Sequence, residues 1–182
     1  MRKTKLAIIG GSGIYDIDGL VDAKWTDVET PWGAPSDQVL TGTLNGVDMV
    51  FLPRHGRGHV YSPTTVPYRA NIDALKRLGV TDVISVSACG SFRDEMAPGD
   101  FVVVDQFIDR TFAREKSFFG TGCVAHVSVA HPPAHASLQP AFRRQAMLGS
   151  PSTMAAPIWR WKVHSFPASQ KAKCTAKAGA RM

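Results

Sequence analysis

The chain has 182 residues, 44% of them hydrophobic and 20% charged, which fits one globular domain and excludes a disordered or collagen-like chain. A net charge of +6 suggests a nucleic-acid partner only until it is divided: residues 1–132 hold 13 basic and 15 acidic side chains, and residues 133–182 hold 8 basic and none acidic. Cys89, Cys123 and Cys174 make neither a disulfide framework nor a closed zinc site, and no apolar run reaches the roughly 20 residues of a membrane span, so the expectation is a cytoplasmic protein without metal, membrane or nucleic acid.

Leu6–Ile9 is a short apolar run that ends in Gly10-Gly11-Ser12-Gly13, and it reads as a buried parallel strand entering a tight turn. Backbone N–H groups and the Ser12 hydroxyl at such a turn suit an anion, although a plain structural turn is the simpler reading. The spacing matches neither G-x-G-x-x-G nor a P-loop. Thr30–Asp37 is loop by its Pro and Gly content. Val39–Leu44 and Val47–Leu52 form a hairpin about Asn45-Gly46, a pair that favours the primed two-residue turn.

Pro53-Arg54-His55-Gly56-Arg57-Gly58-His59 follows directly. Arg54 offers a two-pronged grip on an oxyanion and His55 a further donor, and the glycines suggest close backbone approach to a ligand. A solvated basic turn is the alternative. Thr65–Leu78 has Tyr68, Ile72, Leu75 and Leu78 at helical spacing, with Gly79 as the residue after the C-cap. Val83–Val86 is a second buried strand. It runs into Ser87-Ala88-Cys89-Gly90-Ser91, where Ser87 and Ala88 supply a hydroxyl and an N–H, while Cys89 reads as a buried small hydrophobe.

Phe101–Val104 and His126–Ala130 are further strand candidates. Asp105, Asp109, Arg110 and Arg114 read as a charged network holding a loop, and His126 alone reads as a structural histidine. Trp159 and Trp161, with Arg160 and Lys162 beside them, lack a folded platform for stacking nucleic acid. The fold class expected from this alternation is α/β.

Five blocks taken in order resemble the methylthioadenosine phosphorylases, within the trimeric branch of the purine nucleoside phosphorylases. They are Ile8–Ile14, Thr30–Asp37, Leu52–His59, Ala88–Ser91 and Asp105–Thr111, and the resemblance covers residues 1–132. It implies a phosphorylase-type twisted mixed β-sheet flanked by helices, assembled as a homotrimer. It also implies phosphorolysis of methylthioadenosine to adenine and 5-methylthioribose 1-phosphate in purine and methionine salvage. Inorganic phosphate is then a co-substrate and no cofactor is needed. The family's phosphate contacts fall on Ser12, Arg54, His55, Ser87 and Ala88. His126 matches a substrate-binding histidine contributed to a neighbouring subunit. No residue here matches the carboxylate that serves the leaving purine.

The family's second half does not follow. From residue 133 the chain has no acidic residue and no hydrophobic period. One allowed choice of codons for the segment beginning at Met154, read from the third base, spells Gly-Gly-Thr-Tyr-Leu-Ala-Met-Glu-Gly-Pro-Gln-Phe-Ser, the family's missing blocks in order. Residues 133–182 are therefore expected to be an out-of-frame tail on the N-terminal portion of a phosphorylase domain. An inactive fragment, or a sister phosphorylase for inosine, guanosine or methylthioinosine, is the alternative function.

Overall fold

A computed structural model of the chain describes residues 4–11, 17–94, 96–99 and 107–126. The strand candidate Phe101–Val104, Ser12, residues 127–130 and the whole of 133–182 lie outside the described residues.

Five strands and one helix are described: β1 (Lys5–Gly10), β2 (Leu20–Thr26), β3 (Val39–Leu44), β4 (Val47–Pro53), α1 (Tyr68–Arg77) and β5 (Asp82–Ser85). The strands make one mixed sheet in the order β2-β3-β4-β1-β5. β2, β3 and β4 are antiparallel neighbours, whereas β1 runs parallel to both β4 and β5. A mixed α/β sheet, the expected fold class, is thus what the chain builds.

Alternation along β1 and β4 divides the core. Ala7, Ile9, Val50 and Leu52 face Val39 and the helix residue Leu75, whereas Met49 and Phe51 pack with Leu40 and, from β1, Leu6 and Ile8 on the other face. A central strand buried on both faces requires the unbroken apolar run Met49–Leu52, all of it buried.

The hairpin turns at Asn45 (φ 48°) and Gly46 (φ 78°), so both central residues adopt the positive φ of the primed turn. The helix is shorter than its periodicity predicts. Ser62 and Thr65 exchange backbone and side-chain hydrogen bonds in a turn of their own, and Pro67 then serves as N-cap. At the other end Gly79 N donates to Lys76 O and Val80 N to Leu75 O, the Schellman pattern expected around Gly79 (φ 77°). The buried stripe centres on Ala70, Asn71, Ala74 and Leu75, where the two alanines allow close approach to the sheet. Tyr68, Ile72 and Leu78 flank that stripe.

β2 is the element that sequence periodicity missed. Four of its seven residues are exposed, and Asp22 has φ 55° where the pairing with β3 shifts register. A bulged edge strand carries no alternation to read. β5 begins one residue earlier than expected, and Val86 N still bonds Ile9 O at 2.8 Å.

Candidate anion site

Parallel pairing puts the C-terminal ends of β1, β4 and β5 on one edge. Gly10 lies opposite Pro53, and Ile9 opposite Ser85. Arg54 N donates to Gly10 O at 2.8 Å, so the chain leaving β4 stays bonded to the end of β1 for one residue more. This is the edge where an open parallel sheet presents its loops to ligands.

Arg54 reaches across that edge. Its Nη1 donates to Val86 O and to Ser87 Oγ, both at 3.2 Å, which ties the loop after β4 to the loop after β5. Its Nε donates to His55 Nε2 at 3.2 Å. Burial lowers the Arg54 pKa, with Tyr68 opposing, but a guanidinium stays charged throughout the physiological range.

His55 stands in one tautomer. Nδ1 lies 2.9 Å from Tyr61 O and must donate to it, leaving Nε2 to accept from Arg54. Burial lowers its pKa below 6.5, the Tyr61 carbonyl opposes, and Arg54 and His59 add to the lowering. The His59 ring stacks on it at 5.6 Å. A neutral His55 held this way has no free ring N–H for an anion. Its Nε2 accepts from Arg54 and so helps to orient that guanidinium.

Arg57 takes no part in the cradle. It is bound by Asp37, and its guanidinium lies 4.3 Å from the centroid of the Trp25 ring. Gly56 is required by the turn itself: it has φ 71°, and a Cβ there would sit 2.8 Å from Ser36 O. Ser36 and Asn71 anchor the same loop from behind. Ser36 Oγ donates to Pro53 O at 2.7 Å, and Ser36 N donates to Asn71 Oδ1 at 2.8 Å, both buried. Sequence reasoning missed these two residues because a serine in a Pro-rich loop and an asparagine in a helix carry no signal of the bond between them.

Of the expected site residues, Arg54, His55 and Ser87 are brought together. Ala88, next to Ser87, is exposed. Ser12 lies outside the described residues. His126 is exposed in a non-strand segment. Cys89, expected as a buried hydrophobe, is exposed instead, because the chain has left the sheet by Ser87. In the charged stretch expected to hold a loop, Asp109 accepts from Thr111 N at 2.8 Å, and Arg114 stacks on Tyr68 with its ring centroid 5.2 Å from the guanidinium. Asp105 lies outside the described residues. Among the described residues no His/Cys/Asp/Glu group has metal-site geometry, and no helix is long and apolar enough to cross a membrane.

Residues 5–169 match the family described as the Phosphorylase superfamily, so the match runs beyond Pro132. The S-methyl-5′-thioadenosine phosphorylase of Cereibacter sphaeroides is 81% identical over 130 residues, covering 71% of this chain and 45% of the relative. That of Rhodospirillum rubrum is 67% identical over 131 residues, covering 72% and 45%. A crystal structure of a methylthioadenosine phosphorylase from an antarctic soil metagenomic library superposes with a TM-score of 0.72 at 47% identity, over 82% of this chain and 53% of that one. The chain therefore spans about half the length of the relatives it matches.

Proposed function

From the premise that this chain belongs to the phosphorylase superfamily, we propose that it carries the phosphate-holding half of a methylthioadenosine phosphorylase, a pentosyltransferase. The observation that carries this reading is the Arg54 guanidinium, held by His55 and bonded to Val86 O and Ser87 Oγ at the shared strand edge. It brings a fixed positive charge, a hydroxyl and loop backbone to the edge that holds Gly10. High identity to enzymes named for methylthioadenosine supports the substrate.

In this reading Arg54, Ser87 and the Ala88 N–H hold phosphate, with Ser12 joining from the loop after β1. A phosphate oxygen forms a bond to C1′ of methylthioadenosine as the C1′–N9 bond breaks. The electron pair of that bond leaves with adenine, which takes up a proton. The products are adenine and 5-methylthioribose 1-phosphate. The sugar becomes oxocarbenium-like on the way, and the bound phosphate dianion offsets its positive charge. Phosphate is consumed as co-substrate, and the chemistry calls for no metal or organic cofactor. His126 serves the nucleoside of a neighbouring subunit in a homotrimer, and the enzyme works in the cytoplasm in purine and methionine salvage.

Calorimetric titration of the 182-residue chain with inorganic phosphate tests the reading. Saturable binding that Arg54→Ala weakens by about 2–4 kcal/mol is expected. Binding that is absent, or indifferent to Arg54→Ala, would overturn it.

A further inference from the structure

A second cationic centre lies beside Tyr68, in a cavity whose lining does not include Arg54, His55 or Ser87. A cavity of about 140 Å³ opens between the first turn of α1 and the 109–118 loop, lined by Tyr68, Arg69, Asp109, Arg114 and Lys116 among others. Both terminal nitrogens of Arg114 are buried and meet no hydrogen-bond partner. The guanidinium rests on the Tyr68 ring, and an aromatic face attracts a cation without accepting its N–H bonds in their own plane.

The other charged groups around the cavity have partners. Arg69 lies 3.7 Å from Glu115 and 4.6 Å from the Trp32 ring centroid. Lys116 Nζ donates to Thr111 O, and Asp109 Oδ1 accepts from Thr111 N. Three cations against two carboxylates leave one positive charge unmatched among these lining residues. Buried donors without acceptors are disfavoured, the more so when they carry charge. A guanidinium presents parallel N–H bonds that match two oxygens of one oxyanion.

We propose that the Arg114 cavity is a second oxyanion seat, separate from the Arg54 site, taking one carboxylate or phosphate group on the Arg114 fork. Its volume is several times the roughly 30 Å³ share of a water molecule, enough for such a group. Two sources supply that chemistry: a free anion, or a carboxylate of a second copy of this chain. Tyr68, whose pKa burial raises and whose charged form both Arg114 and Arg54 favour, is the common neighbour of the two arginines.

The test follows the arginine Nε–Hε signals of the full chain labelled with ¹⁵N-arginine, with the Arg114 signal identified by its loss in Arg114→Lys. Phosphate and acetate are each titrated into Arg54→Ala, which removes the first site. A saturable shift of the Arg114 signal assigns the seat to free anions. A signal that moves with protein concentration instead, with self-association weakened about tenfold or more in Arg114→Lys, assigns it to a carboxylate of a second copy. An Arg114 signal indifferent to phosphate, acetate and protein concentration overturns the proposal, and that result is read on a chain whose Arg114 is intact.

Discussion

The Asp37 carboxylate holds Arg57 by its backbone and by its side chain together. Oδ2 accepts from Arg57 N at 2.6 Å, while Oδ1 accepts from Nη2 at 2.9 Å and Nε is shared between the two oxygens. The loop between β4 and α1 is thereby pinned three residues beyond Arg54 to the loop before β3. Asp37 thereby positions the loop that carries Arg54, acting through Arg57 and the turn at Gly56.

Asp37→Ala should cost about 1–2 kcal/mol of stability, less than a fully buried charged bond would, because the Arg57 side chain is 46% exposed. Urea unfolding at neutral pH measures it. Phosphate binding should weaken as well, since the backbone that carries Arg54 and His55 loses its clamp.

The same carboxylate sets an acid limit. Burial pushes its pKa upward, yet the hydrogen bonds from Arg57 and Gln38 and the Arg57 charge outweigh that and hold it below 3.8. A carboxyl with a depressed folded pKa stabilises the fold above its unfolded pKa, and the contribution is lost as pH falls through the folded value. Wild type should therefore lose stability below about pH 4, and Asp37→Asn should lose less over that interval. Parallel acid dependence in the two proteins would contradict the assignment.

His55 gives a second pH dependence in a higher window. Its pKa lies below 6.5 in the folded chain, first through burial and then through Arg54 and His59. On acidification the unfolded chain binds a proton first, so stability falls between 6.5 and the lowered folded value and levels off beneath it. Protonation also removes the Nε2 acceptor from Arg54. His55→Gln should flatten the stability profile in that window, measured by thermal unfolding from pH 7 to pH 5.

Arg54→Ala should weaken phosphate by about 2–4 kcal/mol, since it deletes a charged donor bonded to Val86 O and Ser87 Oγ. Arg54→Lys should recover only part of this. A lysine keeps the charge but lacks the planar fork that reaches two partners while Nε engages His55.

Two glycines of the same loop should part company. Gly56→Ala meets both a positive φ and a carbonyl oxygen at 2.8 Å, whereas Gly58→Ala meets φ 81° with nothing within 4 Å. Strain alone costs roughly 1–2 kcal/mol, so Gly58→Ala should be mild and Gly56→Ala distinctly worse in thermal unfolding. Equal losses would show that the Ser36 contact does not constrain the turn.

Much of this arrangement was legible in the residues because local rules and tertiary context agree there. Asn45-Gly46 specifies its turn, Gly79 its helix end, and the apolar runs at Leu6–Ile9 and Met49–Leu52 their central strands. Arg54 was legible as a charged group at a strand end from its place directly after β4. Its orientation was not, because that depends on Val86 O and Ser87 Oγ, more than thirty residues away. The tautomer of His55 was hidden for a related reason: a histidine's donor or acceptor role is decided by what its other nitrogen meets, here Tyr61 O. β2 and the two terminal nitrogens of Arg114, which meet no hydrogen-bond partner, were hidden because each is defined by pairing, or its lack, across the fold.

β1 stands between β4 and β5, and all its partners are remote in sequence: Lys5 N donates to Thr81 Oγ1 across 76 positions. The β3–β4 hairpin, by contrast, closes over two residues, an event of microseconds, whereas ordering a long loop before its contacts form is slow. The ends of β1, β4 and β5 meet only when β1 has inserted between the other two. A folding chain therefore acquires its hairpin early and the shared edge of β1, β4 and β5 last, because the insertion of β1 is what completes that edge.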